Sequence, residues 1–172
     1  MNREQESRSL RVLVGWSLVV LAGAAVTLLP LRGARRTSQE APQADPWTVS
    51  ETVQPAELVR EITQGTGDAK PIVVCVGFRP LYDGAHVPGA SFHGPGRTAD
   101  GLEDLKRWAQ NLPRSANIVE YCGCCPMSRC PNIRPAFLAL RDMGFTRLRV
   151  LMLPTDLYTD WVQKGYPTEK GR

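Results

Sequence analysis

Residues 117–133 read NIVEYCGCCPMSRCPNI, an apolar, β-branched segment that runs into a loop carrying four of the chain's five cysteines. Asn117 to Cys122 reads as a strand. Pro126 and Pro131 hold the next helix back to about Asn132, because proline is tolerated in a first helical turn but not inside the helix. Ile133 to Met143 is then a helix, with Phe137, Leu138 and Leu140 expected inward and Gly144 as its C-terminal stop.

The same alternation extends in both directions. Pro71 to Val76 is a continuous apolar run of the kind found in strands covered on both faces, which implies a parallel central sheet. Leu102 to Leu112 places Leu102, Leu105, Trp108, Ala109 and Leu112 at helical spacing, and Pro113 closes it. Upstream, Val49 to Val53 reads as a short strand. Pro55 opens a helix with Leu58, Val59 and Ile62 on one face, ended by Gly65 to Gly67. Downstream, Arg147 to Leu153 reads as a strand and Thr155 to Lys164 as a last helix ended by Gly165. Strands alternating with helices define βαβ units, so the class is α/β, with a mostly parallel sheet flanked by helices.

Residues 12–31 form a separate feature. Val12 to Leu31 is twenty residues without a charge, and as a helix it spans about 30 Å, the thickness of a bilayer core. A transmembrane anchor is expected. A cleavable signal peptide competes, since an Arg-bearing start, an apolar stretch and the small residues Ala22 to Ala25 fit that pattern. The anchor is preferred because cleavage there leaves an apolar new terminus. Arg3, Arg8 and Arg11 are balanced by Arg32, Arg35 and Arg36, so flanking charge does not set topology; both readings nonetheless place the domain outside the cytoplasm. The chain thus divides into a tail (1–11), the anchor or signal segment (12–31), a polar linker (32–46) and one domain (47–172).

Composition agrees with one globular core: 42% of residues are hydrophobic and 22% charged, both ordinary for such a domain. The net charge of +4 comes without a Lys/Arg block or interleaved aromatics, so a nucleic-acid partner is not expected. No haem-attachment or phosphate-loop motif occurs, and no cofactor is implied.

Four segments in order carry a family resemblance. Ala85-His-Val-Pro-Gly-Ala90 resembles the Gly-His-Ile-Pro-Gly-Ala turn that rhodanese-like domains carry after their second strand. Ile118-Val-Glu-Tyr-Cys122 is similar to their strand ending in the active cysteine. Met143-Gly-Phe145 resembles the segment closing the following helix, and Trp161 with Gly165-Tyr-Pro167 resembles the Trp and Gly-Tyr-Pro near the family's end. The resemblance implies a rhodanese-like fold and a sulfurtransferase in which Cys122 carries a persulfide, exchanging sulfur with small sulfur-containing anions or protein thiols. Three departures stand beside it. The family's Asp-Val-Arg after the second strand reads Cys75-Val76-Gly77, with Arg79 two positions late; Leu153-Pro154 replaces a Gly-Gly; and the loop after Cys122 is longer than usual.

Thiolates are favoured at helix N-termini, where free backbone N–H groups and the helix dipole stabilise negative charge. A loop entering a helix N-terminus also forms an anion cradle. Gly123, Cys124, Cys125, Met127, Ser128 and Arg129 are therefore expected around the substrate; Arg129 or Arg134 could add charge for a sulfonate-bearing donor, with Arg134 read in slight preference as a solvated helix residue. The competing reading for Cys122 is an inert buried thiol. Cys124, Cys125 and Cys130 admit three roles: resolving thiols, a structural disulfide, or, with Cys122, zinc ligands. Metal is placed last, because C-x-C-C-x4-C lacks the paired C-x2-C knuckles of common zinc sites. Cys75 is expected to be core packing, His86 to satisfy backbone groups in its turn, and His93 to be a loop residue.

Three functions from different classes follow. The first is sulfur transfer through Cys122. The second is dithiol redox chemistry by Cys122 and Cys125, whose C-x-x-C spacing fits but whose helix starts late. The third is a catalytically silent rhodanese-like module with a disulfide- or metal-stapled loop.

The anchor reading has a direct check: the full chain should sediment with membranes and resist carbonate extraction, while a fragment beginning near Trp47 should be soluble and folded. Full chain recovered soluble with its N-terminus intact would refute the anchor.

Overall fold

Five parallel strands in the order β1-β5-β4-β2-β3 make the single sheet in this computed structural model, which describes residues 44–171. The strands are β1 (Thr52–Val53), β2 (Ile72–Cys75), β3 (Ser91–Phe92), β4 (Asn117–Tyr121) and β5 (Arg147–Leu151). The helices are α1 (Pro55–Gln64), α2 (Arg79–Gly84), α3 (Ala99–Ala109) and α4 (Ile133–Asp142). Segment 12–31 lies outside the described residues. Among the described residues no helix is long and apolar enough to cross a membrane.

β4 is central and every one of its residues is buried, as a strand covered on both faces requires. Side chains alternate across a strand, and β4 divides accordingly. Ile118 and Cys122 join Leu105, Ala109, Ile133, Phe137 and Leu140 on the side of α3 and α4. Val119 and Tyr121 join Leu58, Tyr82, Leu151 and Trp161 on the other.

The chain leaves β2 towards the second of these layers, through α2 and Tyr82, and leaves β4 towards the first, through α4. The carboxyl ends of β2 and β4 therefore flank a crevice from which the connections diverge. In open α/β sheets that is where ligands bind. Cys122 stands there, one residue past the end of β4.

Close backbone approach at this point depends on glycine. A Cβ on Gly77 would overlap the carbonyl oxygen of Cys122 and lie 3.5 Å from its Sγ. This gives a physical reason for one departure from the family pattern: an arginine at position 77 has no room while Cys122 keeps this placement.

The structure corrects several sequence expectations. Leu138 is 44% exposed while Phe137 and Leu140 are fully buried, since successive helical residues rotate by about 100° and Leu138 passes beyond the inward stripe. Val49–Glu51 is a single 3-10 turn preceding a two-residue strand. Thr155 to Lys164 yields only a π-type turn at Tyr158–Val162, because the Asp160 carboxylate accepts the N–H groups of Thr155 and Asp156 and competes with a regular helix start. α2 and β3 were not anticipated. His86 behaves as expected: its Nδ1 donates to the Tyr82 carbonyl at 2.8 Å, and its ring stacks on Tyr82 at 3.9 Å.

Gly77→Ala should therefore lower unfolding stability by about 1–3 kcal/mol, the usual cost of overpacking. Gly84→Ala, where an added Cβ meets nothing within 4 Å, should be neutral or stabilising by under about 1 kcal/mol. Urea unfolding of the two variants beside the parent checks this; equal effects would remove the close-approach argument.

Candidate active site

Four sulfurs converge at the end of β4. The Sγ atoms of Cys122, Cys124, Cys125 and Cys130 all lie within 4.8 Å of one another. Cys122 and Cys124 are 3.0 Å apart and Cys124 and Cys125 3.2 Å, and all are free thiols. A 3-10 turn at Met127–Arg129 folds the loop back so that Cys130 rejoins Cys122. Arg134 holds this return in place, donating to the carbonyls of Met127 and Cys130 at 3.3 and 3.2 Å.

That use of Arg134 overturns its reading as a solvated residue. It is only 6% exposed, pairs with Asp45, and lies over the Trp47 ring at 5.6 Å. Its distant partners satisfy most of a guanidinium that would otherwise be costly to bury.

Asn132 was missed from the sequence and is the main addition to the site. It is completely buried, and its Nδ2 donates to Cys122 Sγ at 3.2 Å and to Cys124 Sγ at 3.6 Å. Its Oδ1 accepts the Arg97 backbone N–H at 3.2 Å, which fixes the amide so that its donor faces the sulfurs. An asparagine just before a helix invites reading as an N-cap, but this side chain makes no cap hydrogen bond.

Charge and access fall on different sulfurs. Hydrogen bonds from the Cys122 and Cys124 thiols, with the backbone N–H groups of Asn132 and Ile133 at the start of α4, bring Cys130 down to about 2. The backbone N–H groups at the start of α4, expected to act on Cys122, thus act on Cys130. At Cys122 the Cys124 hydrogen bond pulls downward, but Cys130 and burial outweigh it and the net direction is up. Cys122 and Cys124 are the two cluster sulfurs whose residues line the adjoining cavity.

A cavity of about 470 Å³ reaches Cys122, Gly123 and Cys124 and is walled by Leu81, Tyr82, Tyr121, Leu157 and Tyr158, with Lys170 and Asp156 among its charged lining. Of the expected substrate contacts, only Gly123 and Cys124 line it. Met127 packs into the core, and Ser128 and Arg129 are exposed on the turn. Cys75 is buried among apolar side chains, and burial raises its pKa to about 11; it also touches the cavity wall. His93 sits in its loop as expected, its Nδ1 2.8 Å from Asp104 Oδ2.

Solved structures with this architecture are numerous. The chain superposes on the BH2092 protein of Bacillus halodurans with a TM-score of 0.55 at 22% identity, covering 70% of this chain and 77% of that one. The Alr3790 protein of Anabaena sp gives 0.53 at 22%, over 69% and 82%, and the rhodanese-like domain of that protein in solution gives 0.51 at 23%, over 70% and 79%. No protein-family model matches the sequence, and no curated protein matches it. The fold is rhodanese-like.

Glu120 was unmarked in the sequence reading and lies on the same face of β4 as Cys122. It is 0% exposed, and neither carboxylate oxygen has a partner among the described residues. Burial, with repulsion from Cys130, raises its pKa well above the ordinary 4.5 and so favours its neutral form. Above pH 4.5 the unfolded chain releases this proton while the folded chain keeps it, so stability falls as pH rises towards the folded pKa. Glu120→Gln, neutral at every pH, should flatten that fall. Thermal melts of reduced, metal-free protein from pH 5 to pH 8 measure it; parallel curves for parent and variant would contradict a buried neutral carboxyl.

Proposed function

We propose that the chain is a sulfurtransferase that carries sulfane sulfur on Cys122. The observation that supports it best is that Cys122 lines the cavity at the carboxyl end of a central parallel strand, with a second thiol 3.0 Å away. The rhodanese-like fold supports it by analogy.

In the reaction, Cys122 gives up its thiol proton to solvent and its sulfur attacks the outer sulfur of thiosulfate, a polysulfide or another persulfide. A new S–S bond forms to Cys122, and the donor's S–S bond breaks with its electron pair leaving on sulfite or a thiolate. An acceptor thiol or cyanide then attacks the outer sulfur, and Cys122 leaves as thiolate. Asn132 donates to Cys122 Sγ and so stabilises that leaving charge. The amides of Gly123, Cys124 and Cys125 donate to no backbone carbonyl among the described residues, which suits an anion cradle. The apolar walls favour an organic persulfide or a protein thiol beside the inorganic donors.

Cys124 is the natural resolving thiol. Attack of its sulfur on the inner sulfur of the Cys122 persulfide forms a Cys122–Cys124 disulfide and expels hydrogen sulfide, and an external dithiol then restores both thiols. A Cys122/Cys125 dithiol of thioredoxin type is less well supported, since α4 starts only at Ile133 rather than at the first cysteine. We further propose that residues 12–31 anchor the domain on the outer side of the membrane.

Mass spectrometry of the reduced full chain after thiosulfate or polysulfide tests this. The parent should gain one sulfur atom and Cys122→Ser none, because a hydroxyl without an adjacent base is too weak a nucleophile. Cys124→Ser should form the adduct and keep it longer. Undiminished adduct in Cys122→Ser would end the assignment.

A further inference from the structure

The four sulfurs show a second property that does not depend on sulfur transfer. A tetrahedral centre with metal–sulfur bonds of about 2.3 Å requires sulfurs about 3.8 Å apart. Here two separations are 3.0 and 3.2 Å and none exceeds 4.8 Å, a range that brackets the tetrahedral edge. All four sulfurs come from one short segment, which arranges them around a common centre rather than in a row.

The surroundings match what thiolate sites need beyond their ligands. Asn132 Nδ2 donates to two of the sulfurs and is itself fixed by the Arg97 N–H. Such outer hydrogen bonds orient ligands and spread their charge. Arg134 pins the carbonyl of Cys130, so the last sulfur is held before any ligand arrives. Cys122 and Cys130 are buried while Cys124 and Cys125 are half-buried, which leaves one side of the cluster open for an ion to enter.

We propose that Cys122, Cys124, Cys125 and Cys130 together bind one thiophilic divalent cation of the zinc type, through all four sulfurs. Soft thiolates in a tetrahedral set select such an ion, and a dication offsets more of their combined negative charge than a monovalent ion does. With four protein ligands the centre is closed, so the bound ion staples the loop. It also occupies Cys122, making metal binding and persulfide formation alternatives at one site.

The test uses the reduced, metal-free full chain titrated with cobalt(II) without oxygen. Expected are one ion per chain, the visible absorption bands of tetrahedral cobalt thiolate, and loss of those bands on adding zinc. Cys125→Ser removes a half-buried ligand and should abolish the tetrahedral spectrum, with near-ultraviolet circular dichroism confirming that the variant is folded. Asn132→Ala should weaken zinc binding by about 10–100-fold in competition with a chromophoric chelator, the usual loss for an outer-shell partner. Cys75→Ser should bind as the parent does. No tetrahedral spectrum in the parent, or a Cys125→Ser variant that binds as tightly, overturns the proposal. Cobalt binding without persulfide formation refutes only the transfer reading, and persulfide formation without cobalt binding refutes only this one.

Discussion

The site depends on how closely two strand ends can approach. Val76 N donates to Tyr121 O at 2.8 Å, and one residue further the absent side chain of Gly77 admits the Cys122 carbonyl. Gly94 then packs over Gly77, where an added Cβ would lie 2.8 Å from the Gly77 carbonyl oxygen, and Gly96 packs against the Asn132 carbonyl. Three segments distant in sequence thus stack at backbone contact. Only in that stack does the Arg97 N–H reach Asn132, and only a fixed Asn132 aims its amide at the sulfurs. Gly77 is therefore part of what lets the loop after Cys122 close.

Elements defined by local pattern were legible in the sequence. β2, β4, α1 and α4 have runs or stripes long enough to show their period, and the central parallel sheet followed from them. β3 spans two residues, too few for any period, and α2 is six residues long with Pro80 in its first turn. Leu138 misled because it is apolar next to a truly inward residue. Arg134 misled because its carboxylate partner, Asp45, is 89 positions away, beyond any local reading.

That Cys122 follows directly on a buried strand was legible from the apolar run that precedes it. The convergence of all four sulfurs was not, because irregular spacing such as C-x-C-C-x4-C says nothing until the turn at Met127–Arg129 is known. That turn shortens the path from Cys125 to Cys130. It also exposes Ser128 and Arg129 while burying Met127, so neighbours in sequence have unlike fates. Glu120 gave no signal either: a lone carboxylate in an apolar strand reads as an interruption, and its neutral state emerges only from burial beside Cys130.

Cys75 is buried on the opposite layer from the loop cysteines and separated from Cys122 by 47 positions. Before the sheet assembles, nothing distinguishes it from the other four thiols. Its sequestration requires pairing of β2 with β4, a non-local contact of the kind that forms slowly, whereas the four loop thiols are near one another in any conformation. In an oxidising compartment the emerging chain therefore runs a race between strand pairing and thiol oxidation. An oxidised link from Cys75 to the loop formed too early would need isomerisation before the sheet could close. Biogenesis of the reduced cluster is in this sense a kinetic problem, set by one cysteine that takes no part in the cluster itself.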